Sequence, residues 1–142
     1  MPARRAPLVT ASVLLVAWTL LVWTTRIRNI WGDGALDGAE KWGRTALALS
    51  FTVLAVGVAV ALWKRLAWLG LAVKVLAGWT IGIWAVRSVG IATGDHEASF
   101  IIVHLVLAVV SCALAGLAVR ASARESSEPN ARLVQPASSS PR

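Results

Sequence analysis

Apolar residues run almost unbroken through four stretches, residues 8–25, 45–63, 66–86 and 100–119, and nearly all the charge falls between them. Each stretch is close to the roughly 20 residues that a helix needs to cross roughly 30 Å of hydrocarbon. The pattern predicts an all-α fold, a four-helix transmembrane bundle of antiparallel up-down topology. Residues 1–120 form one membrane domain in this reading. After Arg120 the chain turns to ASARESSEPNARLVQPASSSPR, rich in Ser, Pro and Ala with no apolar face to bury, so residues 121–142 are expected to be a disordered cytoplasmic tail.

Polar positions mark the joints. Asp37-Gly38-Ala39-Glu40 has the spacing of a capping box, which predicts that helix two starts near Gly38, with Glu40 and Arg44 one turn apart. Helix one is expected to run past Arg26 and Arg28 to Trp31 and to stop at Gly32, leaving residues 33–36 as the turn. Lys64 and Arg65 alone separate stretches two and three, and so short a link makes those helices antiparallel neighbours. Asp95 is placed to cap helix four, with Glu97 in its first turn.

Composition agrees: 57% hydrophobic and 15% charged residues, with a mean hydropathy of +0.69, are too apolar for a water-soluble domain, where charged residues run near 25%. Arg4 and Arg5 before the first stretch resemble a signal peptide, but the stretch exceeds the usual h-region and lacks a small-residue cleavage site before Arg26, so it is read as a retained span. The net charge of +7 does not point to nucleic acid, because the basic residues sit at helix ends, at headgroup level.

Orientation follows from those residues. Arg4, Arg5, Lys64, Arg65, Arg120, Arg124, Arg132 and Arg142 fall on the side of the N-terminus, against Arg26, Arg28, Lys41, Arg44 and Arg87 on the other. The excess predicts a multi-pass protein of the cell membrane with both termini cytoplasmic. Trp23, Trp31, Trp42 and Trp84 match an outer aromatic belt, and Trp63 and Trp68 an inner one. Trp18 and Trp79 fit neither, and at their depth an indole N–H wants a partner.

Lys74 stands out among candidate functional residues, because counting from Leu66 puts it about 12 Å into the third stretch. Gly70, Lys74, Gly78 and Gly82 recur every four residues, a stripe containing a GxxxG, which predicts that Lys74 turns toward a neighbouring helix. Depth counting sets Ser111, Cys112, Gly57 and Ser12 at its level. His104 lies seven residues from both Glu97 and Ser111, on one face of helix four, near the level of Thr19, Ser50 and Thr80. Lys74, His104, Ser111 and Glu97 together form the candidate intramembrane polar site, and a proton path from Glu97 past His104 toward Lys74 is its functional reading. Plain packing, with a snorkelling lysine and a satisfied histidine, is the alternative.

No cofactor or metal is expected. Asp33, Asp37 and Glu40 fail as a calcium loop, since the twelfth position is Arg44 where a glutamate is required. His96 and His104 share one helix, so one chain cannot build a bis-histidine haem site. Cys112 is alone, which excludes a disulfide and a CxxC pair and sets the chain apart from vitamin K epoxide reductase-like proteins. Small multidrug exporters use a glutamate in their first span, where this chain offers only threonines and Ser12. The Ala-, Val-, Trp- and Arg-rich character, with TRIRNIWGDGALDG after the first stretch, resembles small four-span integral membrane proteins of high-GC actinobacteria, a likeness that implies no activity. Without a nucleophile, base and acid at plausible spacing, the sequence reads as a non-enzymatic accessory or scaffolding subunit. Its expected partners are the lipid bilayer and a membrane-protein partner or second copy, with a small proton- or ion-coupled transporter or channel using Lys74 and His104 as the rival reading.

Overall fold

The computed structural model describes residues 6–133, with side chains to Ser126. Its elements are four helices, α1 (Ala6–Gly32), α2 (Gly38–Trp63), α3 (Leu69–Thr93) and α4 (Ala98–Leu133). Each is long and apolar enough to cross a membrane. Even α3, with 25 residues, reaches about 37 Å at 1.5 Å per residue.

The turn chemistry explains where the helices begin and end. Asp37 has extended backbone, and its carboxylate accepts the Glu40 N–H at 2.8 Å, so α2 starts at Gly38 as the capping spacing predicts. Glu40 is 3.6 Å from Arg44 on the next turn. Asp33 accepts the Ala35 N–H at 2.9 Å and folds the connection back on itself. α1 does end at Gly32, yet among the described residues no glycine takes a positive φ, so the stop is not a left-handed glycine cap.

The left-handed cap belongs instead to Arg65, at φ 52°. Its N–H donates to Leu62 O and the Leu66 N–H donates to Ala61 O, the two reverse bonds that close a Schellman motif on α2. A further turn, Leu69 N–H on Leu66 O at 3.2 Å, follows that closure, so α3 begins at Leu69 rather than next to Arg65. At the far end, α4 is not capped by Asp95. The Glu97 carbonyl accepts the first helical bond from Ile101 N–H at 3.1 Å, while Asp95 sits in a turn closed by His96 N–H on Gly94 O.

α4 also runs on to Leu133, where the polar composition predicted a disordered tail from 121. A helix already nucleated by its apolar half extends at low cost through Ala121, Ala123, Arg124 and Glu125, which accounts for its first turn past Arg120 but not for its passage through Pro129. Ser122 is buried in doing so, against Gly70: a Cβ on Gly70 would lie 3.0 Å from Ser122 Oγ. The remainder of the expected tail, 134–142, lies outside the described residues.

α1 packs on α2 and α4, and α3 packs on α2 and α4, so the helices close a ring. As α1 advances from Trp23 to Trp31, the rings it meets on α2 recede from Phe51, stacked at 3.9 Å, to Trp42, edge-on at 5.3 Å. The interior holds Leu15, Phe51, Val58, Val73 and Leu76 among small residues: Ala48, Ala55, Ala77, Ala115 and Ala118. Large apolar side chains such as Leu21, Val53, Leu71, Val86, Ile102 and Val109 point outward. A water-soluble bundle shows a polar outer face; here the outer face is apolar as well, and the alanines inside let backbones approach closely.

Candidate functional site

Apart from Lys74 and Arg87, α3 carries apolar and small residues on every side, so its sequence has no strong preference for one face. Packing makes the choice, and it buries Val73, Leu76, Ala77, Thr80 and Trp84, whose bulk outweighs that of glycine. The stripe predicted to face another helix is therefore turned outward. Lys74, Gly78 and Gly82 are all exposed, a Cβ on either glycine would meet nothing within 4 Å, and only Gly70 touches another helix. The late start of α3 also moves Lys74 closer to the helix end. It is five residues past Leu69, roughly 7.5 Å along the axis, so its long side chain can extend toward the helix end.

The other three members of the predicted site are not joined to Lys74. Ser111 is buried on α4 and accepts the Trp18 indole N–H from α1 at 2.9 Å. His104 is half-buried and bonds back to its own helix: Nδ1 lies 2.9 Å from Phe100 O, and because a carbonyl only accepts, Nδ1 carries the proton. The Phe100 ring lies 3.9 Å from the imidazole. Glu97 is exposed at the start of α4. Ser12, placed by depth at the Lys74 level, is fully buried with no partner for its hydroxyl among the described residues. Among the described residues no continuous hydrogen-bonded path runs from Glu97 to Lys74.

The two tryptophans that matched no belt hold helices together. Trp18 ties α1 to α4 through Ser111, and the Trp79 indole N–H ties α3 to α2 through Ser50 Oγ at 3.0 Å. Their indoles satisfy what apolar surroundings demand of a polar atom, a hydrogen-bond partner.

The feature that residue order alone did not expose lies between α1, α3 and α4. A cavity of about 350 Å³ is walled by Trp18, Trp84 and His104 and flanked by two half-buried arginines, Arg26 from α1 and Arg87 from α3. The two guanidiniums repel each other, and Arg44 on α2 adds a third like charge. Arg44 has Glu40 beside it. Among the described residues no carboxylate pairs with Arg26 or Arg87. In the sequence each reads as an ordinary helix-end cation, and only the packing of α1 and α3 on either side of α4 brings them to one mouth. A second cavity, about 830 Å³, opens at the opposite end beside the Arg65 turn, between Leu8, Trp63, Leu69 and Ser122.

Comparison with protein-family models, with curated proteins and with solved structures finds no match.

Proposed function

We propose that this is a multi-pass protein of the cell membrane, its helices crossing the bilayer in antiparallel up-down order with both termini cytoplasmic, and that it is a non-enzymatic accessory or scaffolding subunit. The observation that carries the membrane reading is the outer surface: large apolar side chains stand exposed on all four helices, around a core that mixes Leu15, Phe51 and Leu76 with alanines and hydroxyls. Contiguous exposed apolar patches beyond a few hundred Å² are rare on water-soluble monomers, whereas in lipid such a surface is the solvated face. The opposed run of Trp23–Phe51 and Trp31–Trp42 and the tight Arg65 turn support the up-down order. The lysine and arginine excess on one side supports the orientation.

The scaffolding reading is supported by Gly78 and Gly82. They stand one turn apart on the outer face of α3, where another helix can approach within backbone contact. The partner in this reading is a second copy or another membrane protein. The test is chemical crosslinking of the full chain in native membranes and in mild detergent, comparing the parent with Gly78→Ile and Gly82→Ile. Both sites have open space, so the fold tolerates the larger side chain. The reading expects a defined crosslinked complex that either substitution abolishes. A monomer in all three preparations would contradict it.

A further inference from the structure

We propose that the cavity between α1, α3 and α4 binds an anionic amphiphile, with Arg26 and Arg87 gripping its headgroup and the neighbouring apolar walls receiving its tail. Charge comes first. Two arginines from different helices are drawn together and partly desolvated with no carboxylate between them, an arrangement that is costly until an anion completes it. Each guanidinium offers a planar fork of N–H donors that fits the paired oxygens of a phosphate or carboxylate. Arg28 makes the contrast. It lies half a turn from Arg26 but is exposed and absent from the cavity wall, as expected of a plain headgroup anchor.

The remaining walls define the rest of the ligand. Asn29 adds a neutral amide at the charged mouth, and below it Leu21, Val22, Val103 and Leu107 make an apolar slot. Leu21 and Val103 are also exposed, so the slot opens sideways onto the outer apolar surface of the bundle. A cavity of about 350 Å³ falls within the size of small-molecule sites, roughly 300–1,000 Å³. Because one side is open, a tail can leave it along α1 and α4 and continue into surrounding lipid. A small inorganic anion would satisfy the arginines but leave this slot unfilled. His104 bounds the slot with its Nδ1–H already committed to Phe100 O, so the ring is held in one orientation at the wall.

The source of the amphiphile rests on the membrane reading, and the proposal is independent of the glycine face of α3. The test titrates the full chain, purified in an uncharged detergent, with dihexanoyl phosphatidic acid, dihexanoyl phosphatidylcholine and inorganic phosphate, followed by tryptophan fluorescence and native mass spectrometry. Trp18, Trp23 and Trp84 all line the site and supply the signal. Saturable binding of the phosphatidic acid is expected, at least about tenfold tighter than either of the others, as for a charge-assisted bond gained or lost. Arg26→Gln and Arg87→Gln should each weaken it by at least about tenfold, while Arg28→Gln should not. If a neutral variant fails to fold, Arg26→Lys and Arg87→Lys keep the charge, lose the fork and should still weaken binding. Equal binding of the two lipids, phosphate binding as tightly as the lipid, or equal loss from Arg28→Gln would each overturn the proposal. Failure of the membrane reading is a different result, recovery of the chain in solution without any detergent.

Discussion

The indole Nε1–H of Trp18 donates to Ser111 Oγ across the α1–α4 contact at 2.9 Å, and with this bond the ring of helices is closed by its first and last members. Ser111→Ala leaves the indole donor without its partner. The destabilisation expected is the modest one measured for hydrogen bonds between helices in lipid, about 0.6 kcal/mol and at most about 1.7. Unfolding of the single variants, Trp18→Phe and Ser111→Ala, and of the double variant in mixed micelles measures the coupling directly. Strictly additive effects would show that the bond contributes nothing.

Phe51 is fully buried and stacked on Trp23, with the Trp79 ring tilted against it at 6.2 Å. Phe51→Ala removes the contact shared by α1, α2 and α3, and loss of about 3–5 kcal/mol is expected from large-to-small changes of this kind. Detergent-unfolding curves check it, and a loss below about 1 kcal/mol would mean that the site collapses without cost.

Arg65 holds φ 52° in the turn after α2, a conformation that costs a side-chain-bearing residue roughly 1–2 kcal/mol. Arg65→Gly should therefore raise the unfolding midpoint, by about 1 kcal/mol in free energy, with the reverse bonds to Leu62 and Ala61 kept. An unchanged or lowered midpoint would show that the guanidinium itself anchors the turn.

Lys74 is exposed on the apolar outer face of α3. Its replacement by methionine removes a charge whose insertion costs about 2.5–3.5 kcal/mol at a helix centre and less at this shallower depth. Lys74→Met is expected to fold and accumulate at least as well as the parent, measured by yield and thermal stability in detergent. Collapse of the fold would place the amine in a role that the geometry does not give it.

The parts of the structure that follow from local rules could be read from the chain. Four apolar stretches give four helices, Asp37 caps α2, Glu40 sits beside Arg44, and α1 stops at Gly32. The parts set by competition between faces could not. The spacing of α3 offers two faces that could be buried, the small-residue Gly70–Gly82 stripe with its single Lys74 and the bulkier face that carries Val73, Leu76 and Trp84. Only the second is buried throughout. Arg65 was readable as a link but not as a left-handed cap, because a glycine is the usual signal for one. Depth counting sets Ser111 at the level of Lys74, but its partner is Trp18, ninety-three residues away. The juxtaposition of Arg26 and Arg87 depends on the α1 and α3 placements together, which no local pattern encodes.

The arrangement of four bilayer-crossing helices is tested most directly by cysteine accessibility in intact cells. In a Cys112→Ala background, single cysteines replace Ala35 in the first connection, Ala67 in the second and Ser99 beside the third, and each is treated with a membrane-impermeant maleimide before and after lysis. The account predicts labelling of the cysteines at 35 and 99 in intact cells, and of the one at 67 only after lysis. Equal labelling of all three before lysis would contradict it.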